Sequence, residues 1–288
     1  MMTTYKQKNM REIVQTNDKY MCFFTGFAFK KLFGTETNKD LLISFLNALL
    51  DGMETIKDIV YLPDEQFRHF LEGSPSVFDV CCENEKGDKI LIEVQKANEE
   101  YFKDKSIYYS SFPISEYSRQ EGWHFEQKKA YAIGILNFTF DHKEDYISKV
   151  KISDTETKDA FHDKLTYIYI ETPKFKKKES ELATMLDKWL YAIINLDELS
   201  NIPQSFQEKI FKKLFKQADI ANLNDMEIRG YNGSLRNYRD WYSILYTKKK
   251  EEGKMEAKAL LEKGIDIKII SKVTELSITE IEQIKQTL

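Results

Sequence analysis

The chain has 288 residues, of which 42% are hydrophobic and 31% are charged, and its formal net charge at pH 7 is −4. This composition supports a substantial core, whereas the negative charge excludes a global basic field, so any DNA contact must come from local patches. No apolar run approaches the ~20 residues of a membrane span, no secretory signal is evident, and the three cysteines lack metal-site spacing, which together favour a cytoplasmic protein.

The first helix that the pattern predicts covers 38–50. Thr37 or Asn38 is the expected cap, and Gly52 ends the run. Apolar residues recur at helical spacing through this segment, namely Leu41, Leu42, Phe45, Leu46, Leu49 and Leu50. We therefore predict a core helix. Two flanking segments have no such pattern, an extended lead-in at 1–25 and a connecting stretch at 57–72.

The segment FDVCCENEKGDKILIEVQ at 78–95 is predicted to be a β-hairpin. The tripeptide at 85–87 suits a three-residue loop with its glycine in the left-handed conformation. If residues 84 and 88 close that loop, the numbers of facing residues sum to 172. That register places Asp79 opposite Glu93, with Cβ atoms roughly 5 Å apart.

Two carboxylates held that close repel each other unless a cation lies between them. A hard divalent ion with oxygen ligands, Mg²⁺ or Mn²⁺, is the natural occupant. The alternative remains open, because acidic residues that face solvent are common on hairpins. A register shift of one residue would also place Asp79 and Glu93 on opposite faces.

Three elements follow the hairpin. A helix rich in aromatic residues is predicted at 99–121, with a kink or interruption at Pro113. The segment 130–140 is apolar enough for a central strand that is buried on both faces. The segment 164–172 alternates in polarity, as a half-exposed strand does.

Beyond residue 172 the pattern is helical. The basic run at 174–178 is interpreted as a solvated loop in preference to a phosphate contact. Helices are predicted near 179–196, 204–217 and 234–263. The last segment, 264–286, contains two short amphipathic stretches that suggest a helix-turn-helix. Its second stretch is acidic, which favours a small helical or dimerising unit over a DNA reader.

The residues IEVQ at 92–95, preceded by FDV at 78–80, resemble the Asp…Glu-x-Gln variant of the PD-(D/E)XK nuclease signature. This variant is typical of the recombination-promoting nuclease (Rpn) group of PD-(D/E)XK nuclease family transposases. Other segments agree in order and spacing, those at 27–52, 101–121 and 251–273. The resemblance therefore extends over nearly the whole chain.

The resemblance implies an α/β fold with a restriction-endonuclease-like core, in which helices flank a mixed sheet and the elements follow the order α-β-β-β-α-β. We place this core at 1–178 and a helical extension at 179–247. A charged helix and the helix-turn-helix-like unit then occupy 248–288, through which a homodimer is expected to form.

The resemblance also implies a metal-dependent DNA endonuclease that acts in recombination or on mobile elements. Asp79, Glu93 and the carbonyl of Val94 would bind the metal. Gln95 would stand where the orthodox signature has the lysine that orients the attacking water, and it donates a hydrogen bond without a charge. Three lysines are expected to contact DNA phosphates, Lys30, Lys31 and Lys105.

Two further positions depart from the family pattern, and Gly26 together with the uncharged Gln95 motivates alternative functions. Gly26 stands where members commonly have an aspartate at the start of the first helix, and Lys105 stands where an arginine is common. Glu36 or Asp40 replaces the missing carboxylate only if the fold brings it to the hairpin. The alternatives are a catalytically inactive member that binds DNA or protein, and a scaffold that acts through its C-terminal helices.

Overall fold

The computed structural model describes residues 18–63, 79–96, 102–121, 127–274 and 276–288, without the side chains at 113–121, 245 and 249. Most of the predicted lead-in and of the connecting stretch lies outside these ranges, as do residues 99–101 of the predicted aromatic helix. None of the helices in the described residues is both long enough and apolar enough to cross a membrane.

Helices and strands are mixed as far as residue 171, and the elements after it are helices. The helices are α1 (Gly26–Phe33), α2 (Lys39–Leu49), α3 (Phe102–Glu121), α4 (Met185–Asn195), α5 (Lys209–Ala218), α6 (Asp225–Glu262), α7 (Ile267–Thr274) and α8 (Ile278–Gln286). The strands are β1 (Ile59–Tyr61), β2 (Val80–Asn84), β3 (Lys89–Gln95), β4 (Ala130–Leu136), β5 (Ile147–Ser153) and β6 (Ala160–Glu171).

The strands form a mixed six-stranded sheet in the order β1-β2-β3-β4-β6-β5. The pairs β1-β2 and β2-β3 are antiparallel, β3-β4 and β4-β6 are parallel, and β5-β6 is antiparallel. Along the chain, α2-β1-β2-β3-α3-β4 reproduces the predicted α-β-β-β-α-β order. The predicted fold class is therefore confirmed.

The β2-β3 hairpin has the predicted register. Val80 faces Ile92, so the numbers of facing residues sum to 172. The loop closes where the amide of Asn84 donates to the carbonyl of Asp88 over 3.0 Å. Gly87 has a φ of +84°, a conformation that a glycine adopts without steric cost.

Several predicted bounds needed correction. β1 lies inside the predicted connecting stretch, and β5 was not predicted at all. β6 begins at Ala160, before its predicted start, and its residues 165–171 are buried instead of half exposed. α3 continues through Pro113 without a break, and α6 begins at Asp225, nine residues before its predicted start. The predicted cap residue Asn38 does precede α2, but its side chain makes no capping hydrogen bond. Its amide nitrogen donates to the carbonyl of Lys31.

α3 covers one face of the sheet, which we call the α3 face. Phe112 of α3 packs against Cys81 of β2 and Leu91 of β3. The hydroxyls of Ser110 and Tyr167 lie 2.7 Å apart and join α3 to β6. These contacts bury the tyrosines of β6 and explain why its alternating pattern does not give an exposed face.

The C-terminal end of α1 lies against the opposite face. The Tyr61 hydroxyl of β1 donates to the carbonyl of Phe33 over 2.8 Å. A Cβ atom on Gly34 would lie 3.3 Å from Cγ2 of Val80, so the end of the helix touches the first residue of β2. This contact brings α1 to the end of β2 at which the predicted site begins.

The helices after the sheet extend the aromatic core of α1 and α2. Trp189 of α4 contacts Phe33 and Phe45, with ring centroids 5.7 and 6.0 Å apart, and its indole N–H donates to Ser44. Phe211 of α5 lies 5.0 Å from Trp189. These helices therefore share a core with α1 and α2.

The basic run at 174–178 is tied to neighbouring acids. Lys174 forms ion pairs with Asp141 and Glu171, at 2.5 and 2.7 Å, and Lys177 pairs with Asp187 at 2.6 Å. These contacts agree with the loop interpretation.

The chain divides into a first compact unit that ends at Ser234 and a second unit, Leu235–Leu288. Within the second unit, α7 and α8 pack with α6 around Ala257, Ile270, Leu276 and Ile281. The two short C-terminal helices were predicted from their apolar spacing. Dimerisation through these two helices stays a prediction. The division of the chain into segments 1–178, 179–247 and 248–288 also stays a prediction.

Candidate functional site

Two carboxylates face each other where β2 and β3 begin to separate. Asp79 immediately precedes β2, and Val80 pairs with Ile92, so the next facing pair is Asp79 with Glu93. Glu93 projects from the α3 face, because alternate residues of a strand share a face, whereas the Asp79 carboxylate lies at the edge of β3 beside the Val94 amide. Both are half-buried. The structure therefore brings together the two carboxylates that the sequence singled out.

Asp79 is held by the backbone of the partner strand. The amide of Val94 donates to Oδ2 of Asp79 over 2.9 Å. Burial raises the pKa of Asp79, and the Val94 amide and the ammonium groups of Lys30 and Lys96 oppose this shift without cancelling it. Burial therefore makes the ionised form of Asp79 less favourable than it is in water.

Gln95 contacts the second carboxylate. Its Nε2 donates to Oε1 of Glu93 from two residues further along the same face of β3. An amide nitrogen carries two N–H donors, so this bond leaves one for another acceptor. Gln95 thus lies beside Glu93, and its role in catalysis stays a prediction.

The carbonyl of Val94 points toward the Asp79 side of β3. The carbonyl of Gln95 accepts from the amide of Asn137, next to β4, and successive residues of a strand direct their backbone groups to opposite sides. The Val94 amide, which donates to Asp79, confirms this direction. Its carbonyl therefore lies on the same edge of β3 as the Asp79 carboxylate.

This donor set fits Mg²⁺ or Mn²⁺. Both ions prefer oxygen ligands, and Mg²⁺ is commonly bound through one or two carboxylates while it keeps several waters. In the described part of the chain, no three His, Cys, Asp or Glu side chains gather into a metal cluster. The proposed ligand set is therefore a carboxylate pair with one carbonyl.

The candidate replacements for the missing aspartate are engaged elsewhere. Asp40 forms an ion pair with Lys213 at 2.5 Å, and Glu36 lies 3.5 Å from the ammonium of Lys39. Gly26 itself opens α1, and a Cβ atom there would meet the hydroxyl of Ser234 at 3.8 Å. Neither Glu36 nor Asp40 completes a three-carboxylate cluster with the pair.

The three lysines expected to contact DNA have different surroundings. Lys30 is exposed and acts electrostatically on Asp79. Lys31 forms an ion pair with Glu227 at 2.5 Å, and its side chain retains 19% of its accessible surface. Lys105 is exposed on α3. The charge of Lys30 therefore acts on Asp79.

Two residues at the site were not predicted from the sequence. Lys96 acts on Asp79, and its position directly after the IEVQ segment is a signal that was available. Tyr169 of β6 is the other. Burial raises the pKa of Tyr169, Tyr167 and Glu93 add to the shift, and a hydrogen bond with Ser106 opposes it. No local pattern links Tyr169 to Glu93, which lies 76 residues earlier.

The sequence profile of the family described as PD-(D/E)XK nuclease family transposase matches residues 23–248. The match contains the hairpin, the carboxylate pair, Gln95 and Tyr169. No curated protein and no solved structure matches the chain.

Proposed function

We propose, since the chain belongs to the PD-(D/E)XK nuclease family transposases, that it is a metal-dependent endonuclease that hydrolyses DNA phosphodiester bonds in recombination or at mobile elements. The observation that carries the proposal is the Asp79–Glu93 pair. It combines like charges in facing positions with a raised pKa at Asp79. Such an arrangement costs stability unless a cation is bound, and perturbed carboxylates of this kind are typical of functional sites.

The chain's own residues have distinct roles in this proposal. Asp79, Glu93 and the Val94 carbonyl would hold Mg²⁺ or Mn²⁺. When bound, the ion supplies a water of lowered pKa and polarises the scissile phosphate. Gln95 keeps Glu93 in place through one N–H and has a second N–H for the attacking water or a phosphate oxygen.

Positive charge near the pair would neutralise the DNA backbone. Lys30 and Lys96 act on Asp79, so a phosphate beside the metal would lie within the field of both. Lys105 would contribute from α3. Lys31 would have to leave Glu227 to reach a phosphate.

The second candidate function is an inactive family member that binds DNA or protein. Gly26 supplies no carboxylate at the start of α1, and Gln95 carries no charge where the orthodox signature has lysine. An inactive member would bind DNA without metal-dependent cleavage. Measuring metal binding and cleavage on the same preparation separates the two functions.

The test compares Glu93→Gln with Glu83→Gln, which removes an acid from the other end of the same face of the same hairpin. We expect Glu93→Gln to abolish the heat of Mn²⁺ binding and to slow plasmid cleavage in Mg²⁺ about 100-fold or more. Glu83→Gln should retain both activities. Cleavage by Glu93→Gln at the wild-type rate would remove the site assignment, and Mn²⁺ binding by a wild-type protein that never cuts DNA would favour the inactive member.

A further inference from the structure

One stretch of α6 collects positive charge. Residues 235–250 contain five basic residues and one acid, whereas the whole chain has a net charge of −4. The basic residues are Arg236, Arg239, Lys248, Lys249 and Lys250. A basic stretch in an acidic chain is a local patch of the kind through which a protein meets a polyanion. The whole stretch lies in the second compact unit.

Helical spacing places aromatic and basic residues of this stretch on one face. Tyr238, Tyr242 and Tyr246 follow one another at intervals of four residues, so they form a stripe along α6. Arg239 comes three residues before Tyr242, and Arg236 comes three residues before Arg239, so both arginines lie along one side of this stripe. We call these five residues the tyrosine–arginine face.

The tyrosines lie outside the core of the second unit. α7 and α8 pack on a later part of α6, around Ala257, and the described residues of that cluster include none from 235–250. Tyr242 and Tyr246 remain 38% and 36% exposed. The rings of Tyr238 and Tyr242 stack on each other, with their centroids 6.4 Å apart. An ordered aromatic surface is therefore presented to solvent.

The two arginines are available to an anionic ligand. Lys250 of the same helix pairs with Glu280 of α8 at 2.6 Å. In the part of the chain that the structure describes, neither Arg236 nor Arg239 forms an ion pair of this kind. Arg236 is exposed and Arg239 is half-buried. A guanidinium group binds two phosphate oxygens at once, which a lysine cannot do.

We propose that the tyrosine–arginine face binds the backbone of duplex DNA: its arginines pair with phosphates, and its tyrosine hydroxyls donate to phosphate oxygens. Arginine and tyrosine are among the side chains that make such contacts. The major groove of DNA admits an α-helix, whereas that of duplex RNA is too narrow for side chains to read. The inference rests on the proposed function for the nature of the ligand, but not on the metal site.

The charges favour DNA over a second copy of the chain. The single acid of the stretch, Asp240, is two residues from Tyr238 and from Tyr242, so it lies on another side of the helix. Two copies joined through this face would bring arginines close to arginines without an acid to neutralise them. A DNA backbone supplies the missing negative charge at every phosphate.

The experiment measures binding of the full-length protein to a fluorescent duplex DNA of arbitrary sequence by anisotropy, in buffer with a chelator so that metal-dependent cleavage is silent. The test variant combines Arg236→Gln with Arg239→Gln. The control combines Lys209→Gln with Lys212→Gln, which removes the same charge from exposed positions of α5, a helix without arginine or tyrosine. We expect the arginine variant to bind about tenfold more weakly or worse, and the control to change less than about threefold.

Salt dependence separates phosphate contacts from a general structural effect. Each phosphate contact contributes about 0.9 to the slope of log affinity against log salt concentration, so the arginine variant should lose roughly 2 from that slope. The control should keep the slope of the wild type. Thermal unfolding curves of both double variants should stay close to that of the wild type, because the substituted side chains lie on the surface of their helices.

The outcomes are distinct. Wild-type DNA affinity in the arginine variant overturns the inference, and the proposed function stands if that variant still cuts plasmid in Mg²⁺. Equal weakening in both double variants also overturns it, because net charge would then explain the effect. A dimer that Tyr242→Ser separates into monomers, at unchanged DNA affinity, assigns the face to a second copy instead. Weaker DNA binding by the arginine variant alone supports the inference even if the protein never cuts DNA.

Discussion

The two ends of the β2-β3 hairpin carry charged side chains in opposite electrostatic arrangements. At the loop end, Glu83 faces Lys89, and their charged groups lie 2.5 Å apart. At the open end, four residues away on each strand, Asp79 faces Glu93. Opposite charges in facing positions stabilise a hairpin, whereas like charges destabilise it.

The pKa directions show the same contrast. Burial raises the pKa of Glu54 beside the hairpin loop, but bonds from Lys86 and Lys129 outweigh burial and lower it overall. Burial raises the pKa of Asp79 as well, and there the opposing groups do not prevail. In the described residues, Asp79 has a backbone amide as its hydrogen-bond donor and no lysine in an ion pair. The loop end therefore has its own lysine partners, whereas Asp79 at the open end is held by a backbone amide.

We expect the largest effect from a variant in which the open end carries opposite charges, as the loop end does. Glu93→Lys would place an ammonium group opposite Asp79 in place of the second carboxylate. We expect loss of Mn²⁺ binding and a fall of about 1,000-fold or more in plasmid cleavage. The free energy of unfolding, measured in urea, should stay the same or rise by up to about 1 kcal/mol.

Glu83→Lys is the control for that variant. It places two lysines in facing positions at the loop end, so it should lower stability and leave the affinity for Mn²⁺ unchanged. Retention of Mn²⁺ binding in Glu93→Lys would contradict the assignment of the open end as the metal site.

The reverse exchange tests the loop end. Lys89→Glu would face Glu83 with a second carboxylate, and the Lys89 side chain is only 6% exposed. We expect a loss of about 3 kcal/mol in the free energy of unfolding, since one partner of a largely buried pair is replaced by a like charge. Lys89→Met keeps the apolar stem and should cost less. Equal unfolding midpoints for Lys89→Glu and the wild type would show that the pair contributes nothing.

The smallest effect concerns pH. The native pKa of Asp79 is raised, so the folded state binds that proton more tightly than the unfolded state. Its contribution to stability is complete below the ordinary aspartate pKa and is lost as pH rises through the native pKa. Without metal, wild-type stability should therefore fall relative to Asp79→Asn across that window and then run parallel to it.

Unfolding curves at a series of pH values, in buffer with a chelator, provide the measurement for Asp79. Added Mn²⁺ should raise the stability of the wild type at neutral pH and leave Asp79→Asn unchanged. If the wild type instead gains stability relative to Asp79→Asn as pH rises, the native pKa of Asp79 is lowered. The folded protein would then already stabilise the charge of Asp79 without a metal.

Local patterns were enough to predict the hairpin that carries the site. Gly87 predicted the loop, and the alternation of side chains predicted which residues share a face. The constant sum of facing residue numbers then predicted the register, in which Asp79 faces Glu93. The apolar spacing of α2, α7 and α8 was similarly local. Each of these features depends on residues close together in the chain, which is why the sequence revealed them.

Strand pairing over long distances was not predictable in the same way. β1 has only three residues, and β5 is largely exposed with two lysines at alternate positions. Neither segment has the apolar alternation of an independent strand, and each becomes one because a neighbour offers hydrogen bonds. The burial of residues 165–171 of β6 likewise depends on packing partners such as α3, and no pattern within 164–172 predicts them.

The sequence by itself therefore determined which acids face each other and which family the chain resembles, because both depend on short segments. The tertiary structure decided what surrounds that pair. It placed Lys30 and Lys96 near Asp79, joined Lys31 to Glu227, and packed the Tyr169 ring against Gly134. Those contacts arise only when the sheet closes and the helices dock, since they join residues that are distant along the chain or separated by a neighbouring strand.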